Sequence, residues 1–151
     1  MKIIDILSPK AVKVPLVSTA KREAIDELVD LLASAGLAGD PASLKRVVWD
    51  RETQRSTGIG EGLAIPHGKC PAIRQLVMAV GRPAQPIDFD SIDRKPVRLV
   101  VLLASPPDRM SDHIQALGRI SRLMTNATFR EATYGAESAE ALYRLFEGAE
   151  K

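Results

Sequence analysis

Cysteine is almost missing from this chain of 151 residues: Cys70 stands alone. A single thiol cannot close an internal disulfide or build a Cys-rich zinc site, and its scarcity fits a reducing compartment. Histidine is nearly as sparse, with only His67 and His113, so no metal site is expected. Long apolar runs are lacking too. The longest, such as Leu99–Ala104, fall far short of the roughly 20 residues that cross a bilayer, so no direct membrane insertion is expected. The start Met1-Lys2-Ile3-Ile4-Asp5 breaks into charge before the apolar centre of a secretion signal can form, which predicts a cytoplasmic protein. An excess of one charge is the last absence. The 21 Lys plus Arg nearly balance the 19 Asp plus Glu, and a net charge of +2 argues for no nucleic-acid partner.

What is present suits one globular domain, expected to span residues 1–151: 45% of residues are apolar and 26% charged, with neither repeats nor a linker. Alternation of Val12, Val14 and Leu16 with Lys13 and Pro15 predicts a strand over 11–17. Ser18 or Thr19 is then placed to cap a helix with Glu23 in its first turns and Ile25, Leu28, Val29, Leu31 and Leu32 as its apolar face. Asp40-Pro41 opens a second helix, as N-cap and first helical residue, with Leu44, Val47 and Val48 inward before a polar stretch from Asp50 to Arg55.

After a glycine-rich turn, strands are expected at Gly62–Pro66, Leu76–Val80 and Val97–Leu103, the last apolar enough to be covered on both faces. Ser111-Asp112 is read as the cap of a helix facing inward through Ile114, Leu117, Ile120, Leu123 and Met124, and Ser138 as the cap of a final helix to Phe146. The expected fold class is α/β: a mixed sheet of about four or five strands flanked by helices on both faces.

The chemistry concentrates in Arg51-Glu-Thr-Gln-Arg-Ser-Thr-Gly-Ile-Gly-Glu-Gly-Leu-Ala-Ile-Pro-His67-Gly68. Pro66 pushes Ile65 toward extended geometry, and Gly68 permits close approach of another backbone, so His67 is held on a stiff strand end. Near its ordinary pKa of about 6.5 a neutral imidazole is a nucleophile at cellular pH, suited to covalent catalysis. Phosphoryl transfer asks little else beyond access and donors for the phosphoryl oxygens. Ser56, Thr57 and the amides around Gly58, Ile59 and Gly60 are candidate phosphate donors, and Arg51 a candidate source of charge. Gly58, Gly60 and Gly62 can equally be a plain turn; their spacing matches neither the dinucleotide fingerprint nor the P-loop.

The run from Ser56 to Gly68 resembles the active-site stretch of enzyme IIA domains of the fructose, mannitol and nitrogen-regulatory type in the bacterial phosphotransferase system. Pro86-Ile-Asp-Phe-Asp90, Lys95-Pro96-Val97 and Asp112-His113 extend the resemblance over nearly the whole chain. The resemblance implies that His67 is phosphorylated on Nε2 by the phosphocarrier HPr or its nitrogen-type counterpart. It makes His113 a second active-site histidine that orients the phosphoryl group and Arg51 an active-site basic residue. No cofactor is implied. The receiver is a IIB domain or a regulatory target protein. With no IIB or IIC segment within these residues, a stand-alone nitrogen-regulatory IIA is the first expectation, and a sugar-specific IIA serving a fructose- or mannitol-class IIB the alternative. A non-catalytic docking module is a third, opposed by the joint presence of His67, His113 and Arg51. Glu61 is assigned to partner contact and Cys70 to no role; Ile59, Leu63 and Met110 are the expected apolar docking residues.

Overall fold

The two most apolar stretches of the chain lie side by side. In the computed structural model, which describes residues 1–150, β5 (Val77–Pro83) and β6 (Leu99–Ser105) pair antiparallel with Val80 opposite Val101. Every residue of β6 is buried, as a run without polar alternation requires. β1 (Leu7–Leu16) adds parallel to the far side of β5. The other side of β6 carries short strands. β3 (Leu63–Ala64) and β4 (His67–Lys69) follow one another along it, both parallel, and β2 (Gly58–Gly60) pairs antiparallel with β3. Lys151, the last residue of the expected domain, lies outside the described residues.

The mixed sheet therefore has six strands among the described residues, against four or five expected. The difference lies around the predicted strand at 62–66, of which only Leu63–Ala64 forms, with β4 resuming beyond it: Pro66 has no N–H, so it interrupts the ladder, while its carbonyl still accepts from the Leu103 amide at 3.0 Å. The glycine-rich turn supplies β2 and a tight reversal in which Gly60, Glu61 and Gly62 all have positive φ, of 106°, 56° and 85°. Glu61 tolerates this because the Asp93 carboxylate accepts its N–H at 2.9 Å and the Tyr134 hydroxyl donates to its carbonyl.

Helices cover both faces. α1 (Lys21–Ser34) packs on β1 and β5 and against α2 (Pro41–Gln54), which backs onto β4. α3 (Met110–Leu123) lies on β6, and α5 (Ala139–Ala149) on β1. The expected cap Asp40 accepts from the Ser43 amide at 3.1 Å, and Ser138 from Ala141 at 3.0 Å.

Other expectations are corrected. α1 starts after Ala20 with no side-chain cap, because the Ser18 hydroxyl and the Val17 and Ser18 amides all donate to Glu27. α3 starts after Arg109, so Ser111 and Asp112 sit inside its first turn, and Ile114 points outward, 60% exposed. α4 (Ala127–Tyr134) has no counterpart in the sequence reading; Asn126 caps it, and Phe129 meets Phe146 edge-on at 5.5 Å.

Candidate functional site

β4 explains why His67 points where it does. Side chains alternate along a strand, and Gly68 faces α2 so closely that a Cβ there would lie 2.8 Å from Val47 Cγ1 and 3.2 Å from Val48 Cγ2. Its neighbour His67 turns the other way, toward α3, where its ring meets His113 edge-on with centroids 5.3 Å apart. His67 is part-buried at one side of a cleft of about 320 Å³. Arg51, Ser56, Thr57, Ile59, Ile92 and Leu117 also line the cleft.

Hydrogen bonding selects which imidazole nitrogen is left free. His67 Nδ1 lies 2.8 Å from the Ile65 carbonyl, which has only lone pairs to offer, so the Nδ1–H donates. In the neutral ring the free lone pair is then on Nε2. Burial is the main influence on this imidazole and pushes its pKa below the ordinary value; the Ile65 carbonyl and Glu52 carboxylate push upward, and the Arg51 and Lys69 charges push down. His113 is more completely enclosed. Burial first, then the His67 and Lys69 charges, drive its pKa down to about 4, and its Nδ1 shares a 2.7 Å hydrogen bond with the Ser105 hydroxyl. Both shifts favour the neutral ring.

The structure brings Arg51, Ser56, Thr57, His67 and His113 together, and it engages most of the expected donors internally. The Thr57 amide donates to Glu52 Oε2 at 2.9 Å and its hydroxyl to Oε1. The Ser56 hydroxyl donates to the Phe89 carbonyl while accepting from the Gly58 amide at 3.0 Å. Gly60 lines an adjoining depression with Glu61, Ser121 and Met124, not the His67 cleft. Arg51, in the last turn of α2, reaches the Arg55 carbonyl at 2.9 Å, which caps the helix end and holds the guanidinium at the cleft.

Sequence reasoning missed Glu52 and Lys21. Glu52 is buried, and the signal for it was spacing: Leu44, Val48 and Glu52 continue one inward stripe of α2, which runs through Asp50 to Gln54 instead of ending before them. Of the expected docking residues, Ile59 and Met110 are each 47% exposed, but Leu63 is buried in β3 against β6. Exposed Ile92, which lines the cleft, was not anticipated. Cys70 is buried with its thiol toward the Ser43 hydroxyl, a core position.

The fold and cleft thus define a mixed α/β domain that presents an imidazole nitrogen free of any hydrogen on a cleft wall. The chain belongs to the family described as the phosphoenolpyruvate-dependent sugar phosphotransferase system EIIA 2, whose model matches residues 5–149. It is 35% identical over 151 residues to the fructose-specific EIIABC component of Bacillus subtilis, spanning all of this chain but 24% of that protein. It is also 35% identical over 146 residues to a nitrogen regulatory protein of Bradyrhizobium diazoefficiens, covering 96% of this chain and 94% of the relative. The crystal structure of the nitrogen regulatory protein IIA-Ntr from Neisseria meningitidis superposes with a TM-score of 0.86 at 27% identity, over 94% of this chain and 97% of that one. Among the described residues, no helix is long and apolar enough to cross a membrane.

Proposed function

We propose that this protein is a phosphocarrier that accepts a phosphoryl group on His67 Nε2 from HPr or a nitrogen-type HPr. The observation that carries this reading is the Nδ1–H bond to the Ile65 carbonyl, which leaves the Nε2 lone pair free at the cleft. In the transfer, that lone pair forms the new N–P bond as the donor's N–P bond breaks, with the electron pair returning to the donor imidazole. His67 keeps its Nδ1 proton throughout. With the Ser105 hydroxyl donating to Nδ1 of His113, the Nε2–H of His113 donates to a phosphoryl oxygen, and Arg51 supplies positive charge at the cleft wall. Because the Thr57 donors and the Ser56 hydroxyl are engaged elsewhere, His113 and Arg51 carry this role.

Residues 1–151 act as one IIA domain. Nitrogen regulation is the leading reading, supported by near end-to-end correspondence with the Bradyrhizobium protein. Equal identity to the fructose-specific component supports the second reading, delivery to a fructose- or mannitol-class IIB domain. Ile59 and Ile92, exposed and lining the cleft, are the apolar residues that support docking of either partner.

Phosphoenolpyruvate, enzyme I and HPr, followed by intact mass, test the reading: one added phosphoryl group, lost in mild acid and retained in base, is expected on the wild type. An acid-stable, base-labile group would instead indicate an ester on Ser or Thr. Transfer onward to a purified fructose-class IIB separates the two readings of the receiver.

A further inference from the structure

We propose that Glu52, paired with Lys21, is a positioning residue for phosphoryl transfer: its carboxylate sets the Thr57 strand, and that strand sets the carbonyl that fixes the His67 ring. This inference rests on the phosphocarrier reading.

The relay is continuous. Glu52 Oε2 accepts the Thr57 amide at 2.9 Å and Oε1 accepts the Thr57 hydroxyl, so the carboxylate grips one residue by two bonds. The Thr57 carbonyl accepts the Ile65 amide at 3.0 Å. The Ile65 carbonyl then accepts His67 Nδ1–H at 2.8 Å, the bond that decides which imidazole nitrogen is free. Each link therefore passes orientation from α2 across the end of β2 to the nucleophile. β2 to β4 are only two or three residues long, so backbone pairing alone holds them weakly.

Glu52 is an unusual choice for this place if stability is the only demand. Leu44 and Val48 precede it on the same stripe, and an apolar side chain of similar volume would continue it without the desolvation of a carboxylate. The charge is tolerated because Lys21 Nζ, in the first turn of α1, approaches Oε2 at 2.9 Å. Lys21 also donates to the Phe89 carbonyl at 3.2 Å, which accepts the Ser56 hydroxyl as well, so the pair joins α1, α2 and the segment that carries the cleft residue Ile92. The charged groups that influence His67 are Arg51 and Lys69, which disfavour its protonation, and Glu52, which favours it. Glu52 therefore acts on the ring by geometry and by charge.

The test compares the full-length wild type, Glu52→Gln, Thr57→Val and the double variant Glu52→Gln/Lys21→Met, with thermal melting as the check on folding. Two readouts are taken: the rate of phosphoryl uptake against concentration of phosphorylated HPr, and the ring tautomer of His67 by 15N NMR without any donor. For Glu52→Gln the expected result is a kcat lower by up to about 100-fold with KM little changed, as for a nucleophile misplaced by about 1 Å. The tautomer is expected to shift from Nδ1–H alone to a mixture. The double variant is expected to regain melting temperature without regaining either readout. Thr57→Val keeps the ion pair and the amide bond, and is expected to show a smaller change of the same kind if Glu52→Gln does not fold. Unchanged kcat and tautomer in a folded Glu52→Gln, or in Thr57→Val where the former is unfolded, would overturn the proposal. Failure of the wild type to take up phosphoryl would remove the carrier reading; a tautomer shift would still uphold the relay, and an unchanged tautomer would overturn it.

Discussion

The β5–β6 hairpin and the β2–β4 edge belong to one sheet and are held by different forces. Each hairpin strand has seven residues, nearly all buried, and the pair is secured by apolar area. The edge strands have two or three residues and depend on polar clamps and glycine contacts: Glu52 on Thr57, Asp93 and Tyr134 on the Glu61 reversal, and Gly68 against Val47 and Val48. The hairpin tolerates gradual loss of area, whereas the edge depends on single groups. Stability resides mainly in the first region and the His67 cleft in the second.

Substitutions can break that division. His67→Ala should abolish phosphoryl uptake by intact mass while costing only the roughly 0.5–1.5 kcal/mol of one hydrogen bond in a denaturation titration. Leu102→Ala, at the buried centre of β6, should cost about 2–5 kcal/mol yet leave the uptake rate of the folded fraction unchanged. A large fall in that rate would mean the two regions are not separable. His113→Ala should slow uptake by about 100-fold or more, as expected for loss of one preorganised donor, while the final stoichiometry stays at one. Gly68→Ala sharpens the comparison because its methyl must displace Val47 and Val48; about 1–3 kcal/mol of stability should go, together with uptake rate, in parallel melting and kinetic measurements.

The smallest expected effect is one of pH. His113 titrates near 4 when folded and near its ordinary value of about 6.5 when unfolded, so between those values the unfolded chain binds more protons. Its contribution to stability is therefore intact above about pH 6.5 and declines as the pH falls toward 4. Melting temperatures across that window should fall more steeply for the wild type than for His113→Ala.

How much was legible in the sequence follows the same division. β6 was readable because a nearly unbroken apolar run has one physical solution, and α2 began where Asp40-Pro41 said it would. The motif around His67 and the pairing with His113 were visible through family resemblance. The end of α2 was not, because Glu52 looks like solvated charge until Thr57 and Lys21, distant on the chain or in loop, are placed around it. α4 spans only eight residues, and nothing in Ile114 itself distinguishes the inward from the outward side of α3. The division of β3 from β4 depends on pairing with β6 more than thirty residues away, information that local periodicity does not contain.

The Ile65 carbonyl has one more consequence. A ring phosphorylated on Nε2 would become neutral only by losing its Nδ1 proton, which would set two lone pairs facing each other across 2.8 Å. In the proposed carrier the carbonyl would oppose this by keeping Nδ1 protonated, so a phosphorylated ring would be held as an imidazolium. An imidazolium departs from phosphorus far more readily than a neutral ring becoming an anion, so the contact that chooses the entering atom also makes that atom a good leaving group.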